Sequence, residues 1–284
     1  MGKLDGRVAL VTGAARGQGR SHAHALAAEG AHVALVDICE QIATVPYGMA
    51  TEDDLARTHM ELEEHGSKVW SRKADMRDPD QIASAVEDVT AEFGAIDIAV
   101  VNHGIYSRGD FWTLSDDVWQ DMIDVNLTSV WRVLKAVCPV MIEQRSGSIV
   151  VTASVNSVEA NPGSAHYTAA KHGVLGLVRT AAVELGPHRV RINAIMPGFV
   201  DTPMTDWQGT YDQTSGHQGG TREEHEKNSH HWHVIDGLIE PGEISGTVVF
   251  LASDDARRVT GVGMPVDDGH LVLPGFNSTP SWSH

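Results

Sequence analysis

The sequence predicts an α/β fold in which a doubly wound parallel sheet forms a single domain. Short aliphatic runs alternate with helical segments along most of the 284 residues. Several runs, such as RVALVTG at 7–13, are apolar nearly throughout, as expected of parallel strands buried on both faces. Strand–helix alternation implies right-handed crossovers between parallel strands. No internal repeat or proline–serine linker divides the chain, so we expect one domain over residues 1–284.

The first half of the chain supplies four strands with helices between them. The helix expected at 78–94 is the clearest, because Asp78 can cap it, Pro79 suits its first turn and Gly94 can end it. We expect strands at 7–13, 31–38, 68–75 and 95–104, and helices at 21–30, 53–65 and 78–94.

The second half continues the alternation and completes a seven-stranded sheet. A long helix is expected to begin at the Ser-Asp-Asp of 115–117 and to precede the fifth strand. We expect helices at 115–143, 164–186 and 240–253, and strands at 147–154, 189–198 and 261–269.

Three segments interrupt this alternation. Residues 39–52 are an insertion between the second strand and its helix, residues 199–239 form a polar stretch with little periodicity, and residues 270–284 form a tail with apolar residues. Long loops in compact domains are usually functional lids or disordered. We expect 199–239 to be a substrate lid whose aromatic residues exclude water.

The lid segment is also rich in histidine, which raises the alternative of a zinc site. Trp207, Tyr211 and Trp232 lie there with five histidines, three of them in the His-His-Trp-His of 230–233. No cysteine stands nearby, so we expect no metal. The aromatic residues suit an apolar or cyclic substrate, although they can equally serve packing.

Bulk composition argues against several classes of function. The formal net charge of −17 repels phosphate backbones, so we do not expect a nucleic-acid partner. Cys39 and Cys138 are far apart and form no disulfide framework, which fits a reducing, cytoplasmic location. We expect neither a leader peptide nor a membrane span.

A glycine-rich turn joins the first strand to the first helix. Gly13, Gly17 and Gly19 lie in the sequence TGAARGQG at 12–19. Glycines here let the backbone turn sharply and approach a pyrophosphate at the positive end of the helix. The spacing differs from the common G-x-G-x-x-G, and glycines also occur in ordinary turns. The position between strand and helix nevertheless favours a dinucleotide site.

Two charged residues bear on which dinucleotide binds. Asp37 ends the second strand, 18 residues after Gly19, where a carboxylate can accept hydrogen bonds from both ribose hydroxyls and repel a 2′-phosphate. Arg16 lies in the glycine turn and could instead pair with that phosphate. Because a fixed carboxylate beside the ribose should outweigh a flexible arginine, we expect NAD.

The sequence SAHYTAAKHG at 164–173 places Tyr167 and Lys171 four positions apart. Residues at this spacing are neighbours on a helix, so the pair can be ordinary surface chemistry. Alternatively, the lysine makes the phenol acidic enough to act as a base near neutral pH. Ser154 stands thirteen residues before Tyr167, and Asn126 lies in the preceding long helix.

Taken in order, these features resemble the short-chain dehydrogenase/reductase family, which implies a Rossmann-type fold. The resemblance extends over nearly the whole chain. Its markers are TGAARGQG (12–19), AD (74–75), NHG (102–104), Asn126, Ser154, YTAAK (167–171) and PG (197–198).

The resemblance implies an enzyme that interconverts a secondary alcohol and its ketone with NAD as the hydride carrier. Tyr167 would be the general acid or base, and Lys171 would lower its pKa and hold the nicotinamide ribose. Ser154 would hydrogen-bond the substrate oxygen. Asn126 would hold a water that passes protons from the lysine to solvent.

The family resemblance also implies which residues contact the cofactor. The expected residues are Gly13, Arg16, Gly17, Gln18, Gly19, Asp37, Ile38, Asp75, Met76, Asn102, His103, Gly104, Tyr167, Lys171, Pro197, Gly198, Val200 and Thr202. The family usually has alanine where this chain has His103, whose imidazole could narrow the cleft, contact substrate or only pack. Val155, Asn156 and Glu159 are candidate pocket residues by position.

Within the family, GAARGQGRSHA (13–23), VDIC (36–39) and the insertion after it resemble the mycofactocin-coupled oxidoreductases, which are related to carveol-type dehydrogenases. That subgroup is thought to hold NAD so firmly that an external redox carrier recycles it. Residues 40–52 would then close over the adenosine end, and the alternative is a surface insertion without consequence. The family also implies a homotetramer.

Two other functions remain open at this stage. A 3-oxoacyl thioester reductase would carry a basic patch for pantetheine, and none is evident near the lid. A non-catalytic, nucleotide-sensing scaffold could use the same fold, but the presence of Ser154, Tyr167 and Lys171 argues against it.

Overall fold

The strands form one parallel sheet, as predicted. The computed structural model describes residues 2–64, 66–235 and 237–273. Within them the strands are β1 Val8–Thr12, β2 His32–Asp37, β3 Val69–Lys73, β4 Ile98–Val101, β5 Gly147–Thr152, β6 Val190–Pro197 and β7 Gly263–Val266. These seven strands pair in the order β3-β2-β1-β4-β5-β6-β7. Of the predicted tail, residues 274–284 lie outside the described residues.

The order of strands reverses between β1 and β4. From β1 the chain continues to β2 on one side, with Val8 opposite His32, whereas β4 pairs with β1 on the other side, with Ala9 opposite Ile98. The crossovers after β1 and after β4 therefore run in opposite directions. In open parallel sheets such a reversal leaves a crevice at the carboxyl ends of the strands, where ligands bind.

Helices cover both faces of the sheet. They are α1 Gly17–Ala28, α2 Glu52–Glu64, α3 Pro79–Phe93, α4 Asp116–Ile123, α5 Ser129–Gln144, α6 Ala165–Leu185, α7 Gln208–Ser215, α8 Arg222–Lys227 and α9 Pro241–Ala252. Side chains alternate along each strand, so Val8 and Leu10 of β1 pack with α3, α5 and α6, whereas Ala9 and Val11 pack with α1 and α9. Two apolar cores result, one on each face.

Local capping accounts for the helix ends that the sequence predicted best. Asp78 accepts hydrogen bonds from the backbone N–H groups of Asp80 and Gln81, at 2.9 and 3.3 Å. Gly94 ends α3 in the left-handed conformation, with φ of 83°, which glycine adopts without strain. Helix α1 begins at Gly17, a turn earlier than predicted, because the glycine turn itself forms its first turn.

Residues 199–239 are more ordered than their lack of periodicity predicted. They contain α7, α8 and a 3₁₀ turn at Asn228–His231. Thr221 and Glu224 form a capping box at the start of α8. The two ends of the segment are joined by a parallel bridge between Val200 and Ile239. The segment therefore leaves the sheet after β6 and returns to the same place, where Ile239 pairs with Val200.

The long helix predicted at 115–143 contains a change of helical type. It is continuous from Asp116 to Gln144, but residues Asp124–Thr128 form a π-helical turn. By length and composition alone this stretch could cross a membrane. Val130, Val133 and Leu134 lie in the core against the sheet, so we interpret the stretch as a core helix.

Candidate active site

A cleft of about 430 Å³ lies at the carboxyl ends of the strands, where the strand order reverses. The four predicted catalytic residues and all the predicted cofactor residues except Gly19 line it. The strand ends and following loops supply most of this lining. The sheet topology therefore brings together residues that are up to 189 positions apart, from Gly13 to Thr202.

The glycine turn is shaped for close approach of a ligand to the backbone. Gly13 and Gly17 have φ of 66° and 55°, which disfavour other residues. A Cβ at Gly13 would lie 2.8 Å from the His103 Cα, and one at Gly19 would overlap the Gly13 carbonyl oxygen. Gly19 therefore serves packing between α1 and the turn, while Gly17 opens the first turn of α1 to the cleft. This cradle fits a dinucleotide pyrophosphate.

The charges near the end of β2 fit NAD better than NADP. The Asp37 carboxylate lines the cleft and accepts hydrogen bonds from the N–H groups of Ala15 and Cys39, at 3.0 and 3.1 Å. Burial raises the pKa of Asp37. The Arg16 guanidinium donates to the carbonyl of Gly48 in the insertion. Arg16 is thus bound to the protein, and a fixed carboxylate faces the position of the ribose.

Asp75 and Asn102 are held by the protein around the cleft. The Asp75 carboxylate accepts hydrogen bonds from the Arg77 guanidinium, at 2.8 to 3.1 Å, and from the Arg77 backbone N–H at 2.8 Å. Asn102 accepts a hydrogen bond from the Thr152 hydroxyl at 3.0 Å, and its amide nitrogen lies 3.4 Å from the Gly13 carbonyl oxygen. Asn102 therefore links β5 to the glycine turn across β4.

His103 is the residue that departs from the family pattern. It lines the cleft and connects β1 to α5 through hydrogen bonds. Its Nδ1 lies 2.7 Å from the Thr12 hydroxyl, and its Nε2 lies 2.6 Å from the Ser129 hydroxyl. Burial lowers the pKa of His103 to about 3, so the ring is neutral. Because both ring nitrogens are hydrogen-bonded within the protein, the arrangement favours the packing role over a substrate contact.

Ser154 and Tyr167 lie together at the centre of the cleft. Ser154 follows β5, and its hydroxyl accepts a hydrogen bond from the Asn156 N–H at 3.2 Å. Tyr167 lies in the first turn of α6 and lines the cleft together with Ser154. The ring of Tyr106 stands edge-on to Tyr167, with 5.1 Å between centroids. Two residues that carry hydroxyl groups thus line the same cleft.

Lys171 lies one turn further along α6, and its electrostatic effect differs from the prediction. Its Nζ donates to the Thr152 carbonyl at 2.7 Å and lies 5.6 Å from the centre of the Tyr167 ring. Burial lowers the pKa of Lys171 to about 8 and raises that of Tyr167 to about 12. The expected lowering of the phenol pKa is therefore absent from these residues alone, because burial of the phenol raises its pKa and Lys171 does not offset this effect.

Asn126 faces Lys171 across Gly104. Its side-chain oxygen accepts from the Ile105 N–H at 3.0 Å, and its amide nitrogen donates to the Ile105 carbonyl at 2.9 Å. A Cβ at Gly104 would lie 2.7 Å from the Asn126 oxygen and 3.9 Å from the Lys171 Nζ. Asn126 lies in the π-helical turn, a feature that often marks functional sites.

The insertion 39–52 lines the cleft and is attached to several neighbouring elements. Arg16 binds the Gly48 carbonyl, Thr44 donates to Asp121 of α4 at 2.7 Å, and the Tyr47 hydroxyl accepts from the Tyr106 N–H. Tyr47 also packs against Trp207 of the lid segment, with 6.3 Å between ring centroids. The insertion is therefore part of the cleft wall.

The structure adds several lining residues that the sequence did not single out. Val155, Asn156 and Glu159 line the cleft as predicted by position. Trp232, an aromatic residue of the predicted lid, lines the cleft as well. The additional lining residues are Tyr106, Phe199, Met204, Thr210 and His270. Only tertiary structure brings them there, since they come from separate segments of the chain. Their aromatic and aliphatic character was a weak signal, because such residues also form cores.

His225 and His233 of the lid segment are buried and hydrogen-bonded within the protein. His225 contacts the Thr214 hydroxyl at 3.1 Å, and His233 donates to the Gly237 carbonyl at 2.9 Å. Within residues 2–64, 66–235 and 237–273, no three His, Cys, Asp or Glu residues are grouped so as to hold a metal ion.

Comparison with known proteins gives the chain close relatives. A family model described as enoyl-(acyl carrier protein) reductase matches residues 13–270. The (−)-trans-carveol dehydrogenase of Rhodococcus erythropolis is 41% identical over 273 residues, which cover 95% of this chain and 99% of that enzyme.

Solved structures agree with these relatives. The crystal structure of carveol dehydrogenase from Mycobacterium avium in complex with NAD has a TM-score of 0.93 and 41% identity, covering 96% of this chain and 100% of that one. A short chain dehydrogenase from Mycobacterium paratuberculosis bound to NAD has a TM-score of 0.87 and 38% identity, with coverage of 96% and 100%.

Proposed function

Because the chain belongs to the short-chain dehydrogenase/reductase family of NAD-dependent oxidoreductases, we propose that it interconverts an apolar or cyclic secondary alcohol and its ketone. One observation carries this proposal. Ser154 and Tyr167, which both carry hydroxyl groups, line the same cleft as the glycine turn and Asp37. Carbonyl chemistry and dinucleotide binding thus share one site.

Each of the four catalytic residues has a separate role in alcohol oxidation. NAD, when bound, accepts the hydride from the alcohol carbon. Tyr167 takes the hydroxyl proton, and Ser154 donates a hydrogen bond to the same oxygen as charge develops on it. Lys171 and Asn126, facing each other across Gly104, form the route by which the proton leaves. In ketone reduction the same groups act in reverse.

Tyr167 needs a positive charge close by before it can act as a base. Its pKa of about 12 in the protein alone is too high for a base at neutral pH. A unit charge at 4 Å changes the energy by about 4 kcal/mol at an effective dielectric constant of 20, or about three pKa units. Because Lys171 is already part of the protein that sets this value, the cationic ring of oxidised NAD is the further charge that would act on Tyr167.

The lining of the substrate end supports an apolar or cyclic substrate. Val155, Phe199, Met204 and Trp232 supply apolar surface there. The arginines and lysines of the described cleft lining are Arg16, Arg77 and Lys171, and the two arginines belong to the nucleotide end. This distribution disfavours the 3-oxoacyl thioester reductase, whose phosphopantetheine would need an arginine or lysine near the substrate. The Ser154 and Tyr167 hydroxyls disfavour a non-catalytic scaffold.

The insertion 39–52 supports a second part of the proposal, that NAD is held firmly. Its contacts with Arg16, Asp121 and Tyr106 close it over the cleft. An external redox carrier, as in the mycofactocin-coupled subgroup, would then recycle the bound nucleotide. A single domain over 1–284, a homotetrameric assembly and a cytoplasmic location complete the proposal, on the family resemblance alone.

Two measurements test the proposed function. Denaturing the purified protein should release NAD, identified by mass spectrometry. The native protein should then oxidise cyclic secondary alcohols, including carveol, with an artificial electron acceptor. Tyr167→Phe should lower kcat by at least about 100-fold while the nucleotide stays bound. Near-wild-type turnover by Tyr167→Phe would remove the phenol from the mechanism.

A further inference from the structure

A charged pair lies at the substrate end of the cleft and has no part in the mechanism above. Glu159 follows β5 by a short loop, and His270 follows β7 in a 3₁₀ turn at His270–Val272. The His270 Nε2 lies 2.7 Å from the Glu159 Oε1, and its Nδ1 lies 2.8 Å from the Trp232 carbonyl oxygen. All three residues line the cleft.

The partners of His270 determine its protonation. A carboxylate oxygen and a carbonyl oxygen both accept hydrogen bonds, so each ring nitrogen must donate. The ring is therefore an imidazolium, with its side chain only 14% exposed. Glu159 raises the pKa of His270, in agreement with this reading. The imidazolium fixes one oxygen of the Glu159 carboxylate and holds the side chain against the cleft.

The second oxygen of Glu159 is available to a ligand. Among the described residues, Oε2 has no hydrogen-bond partner, and the side chain is 31% exposed. A second unpaired polar group belongs to the same lining: the Thr210 hydroxyl is buried without a partner in the described part of the chain. Val155, Phe199 and Met204 form the neighbouring apolar surface. Polar atoms left unpaired in such a wall are satisfied when a ligand supplies the partner.

We propose that Glu159, held by His270, is a specificity residue that accepts a hydrogen bond from a second hydroxyl group of the substrate. This inference rests on the proposed function and narrows it. The substrate is then a diol or hydroxyketone on an apolar, cyclic skeleton. One oxygen reacts between Ser154 and Tyr167, while the remote hydroxyl binds the Glu159 Oε2. His270 acts as a positioning residue, because it orients the carboxylate without touching the substrate.

The test compares cyclohexanol with trans-1,4-cyclohexanediol, which differ in the remote hydroxyl. The NAD-loaded wild type should show a kcat/KM for the diol at least 10-fold higher, after correction for its two equivalent hydroxyls. Glu159→Leu should abolish this preference, because kcat/KM for the diol falls at least 10-fold more than kcat/KM for cyclohexanol. His270→Gln should raise KM for the diol with little change in kcat. Glu223→Gln, an exposed charge change on α8, is the matched control and should keep the preference.

Binding provides a second readout that does not need turnover. Titration of the NAD-loaded protein, followed by the fluorescence of tryptophan, should show the diol binding at least 10-fold more tightly than cyclohexanol, and Glu159→Leu should remove the difference. Equal kcat/KM and equal affinity for both compounds in the wild type would overturn the inference and leave the proposed function standing. Absence of turnover, with the diol preference retained in binding and lost in Glu159→Leu, would overturn the proposed reaction and support the specificity site.

Discussion

The hydroxyl of Tyr47 accepts a hydrogen bond from the backbone N–H of Tyr106 at 3.0 Å. The ring of Tyr106 in turn stands edge-on to Tyr167, and its hydroxyl lies 2.9 Å from that of Ser164 at the start of α6. The insertion thus reaches the reactive phenol through one intermediate residue. The insertion 39–52 is therefore connected to the candidate catalytic residues and is not a surface insertion without consequence.

Replacing Tyr47 by phenylalanine should loosen the insertion. The buried Tyr106 N–H would lose its acceptor, at a cost of about 1–3 kcal/mol. We expect NAD to dissociate about 10-fold faster, measured by exchange of bound NAD against a labelled nucleotide. Tyr211→Phe, which removes a hydroxyl bonded to Asp206 within the lid segment, is the matched control and should leave the exchange rate unchanged. Unaltered exchange in Tyr47→Phe would contradict a role for the insertion in retention.

Gly104→Ala should damage the proton route without blocking the nucleotide site. The added Cβ would lie 2.7 Å from the Asn126 side-chain oxygen, so Asn126 must move away from Lys171. We expect kcat to fall about 10- to 100-fold, with NAD still released in full on denaturation. Gly176→Ala in α6, where an added Cβ meets no atom within 4 Å, is the control. A variant with normal kcat would show that the Asn126–Lys171 geometry is dispensable.

Asp37→Asn should relax the choice of dinucleotide. Removing the charge ends repulsion of a 2′-phosphate, and the NAD over NADP preference should fall at least about 10-fold. The amide also leaves one of the Ala15 and Cys39 N–H groups without an acceptor, so NAD affinity should weaken as well. Isothermal titration of nucleotide-free protein with NAD and with NADP measures both the affinity for NAD and the preference for NAD over NADP. Asp53→Asn, an exposed change on α2, should alter neither, and an unchanged preference in Asp37→Asn would locate selectivity elsewhere.

His270 should stabilise the fold in a pH-dependent manner. Its pKa is raised by Glu159, with Asp267 also contributing, so the native state binds the proton more tightly than the unfolded state. The stabilisation is complete below the ordinary value of 6.5 and is lost as pH rises through the raised pKa. His270→Leu should therefore lower Tm by about 3–6 °C at pH 5.5 and by much less at pH 9. A deficit that is constant across this range, measured by scanning calorimetry, would exclude an imidazolium.

Much of the fold followed from local patterns in the sequence. Asp78 and Gly94 mark the ends of α3 because capping depends on a few neighbouring atoms. The glycine turn, Ser154, Tyr167 and Lys171 were recognisable because their order along the chain matches that of the strands. Because the carboxyl ends of parallel strands lie at one edge of the sheet, residues that follow the strands are expected to lie close together.

The residues that the sequence missed depend on contacts between distant segments. Tyr106 and His270 carry no local signal for their place in the cleft. Helix α8 had a signal that was overlooked, because Thr221 and Glu224 form the Thr-x-x-Glu of a capping box. The pKa of Tyr167 was expected to be low from its spacing to Lys171, but spacing says nothing about desolvation, which sets the direction of the shift.

The π-helical turn at Asp124–Thr128 places one extra residue in a helix that otherwise repeats regularly. The Ser129 N–H bonds the Asp124 carbonyl, so the two flanking helical stretches are out of phase with each other. Shortening the turn by a single deletion would rotate Asn126 by about 100° about the helix axis, away from Lys171. A helix transferred between related scaffolds must therefore keep the number of residues in this turn as well as the identity of Asn126.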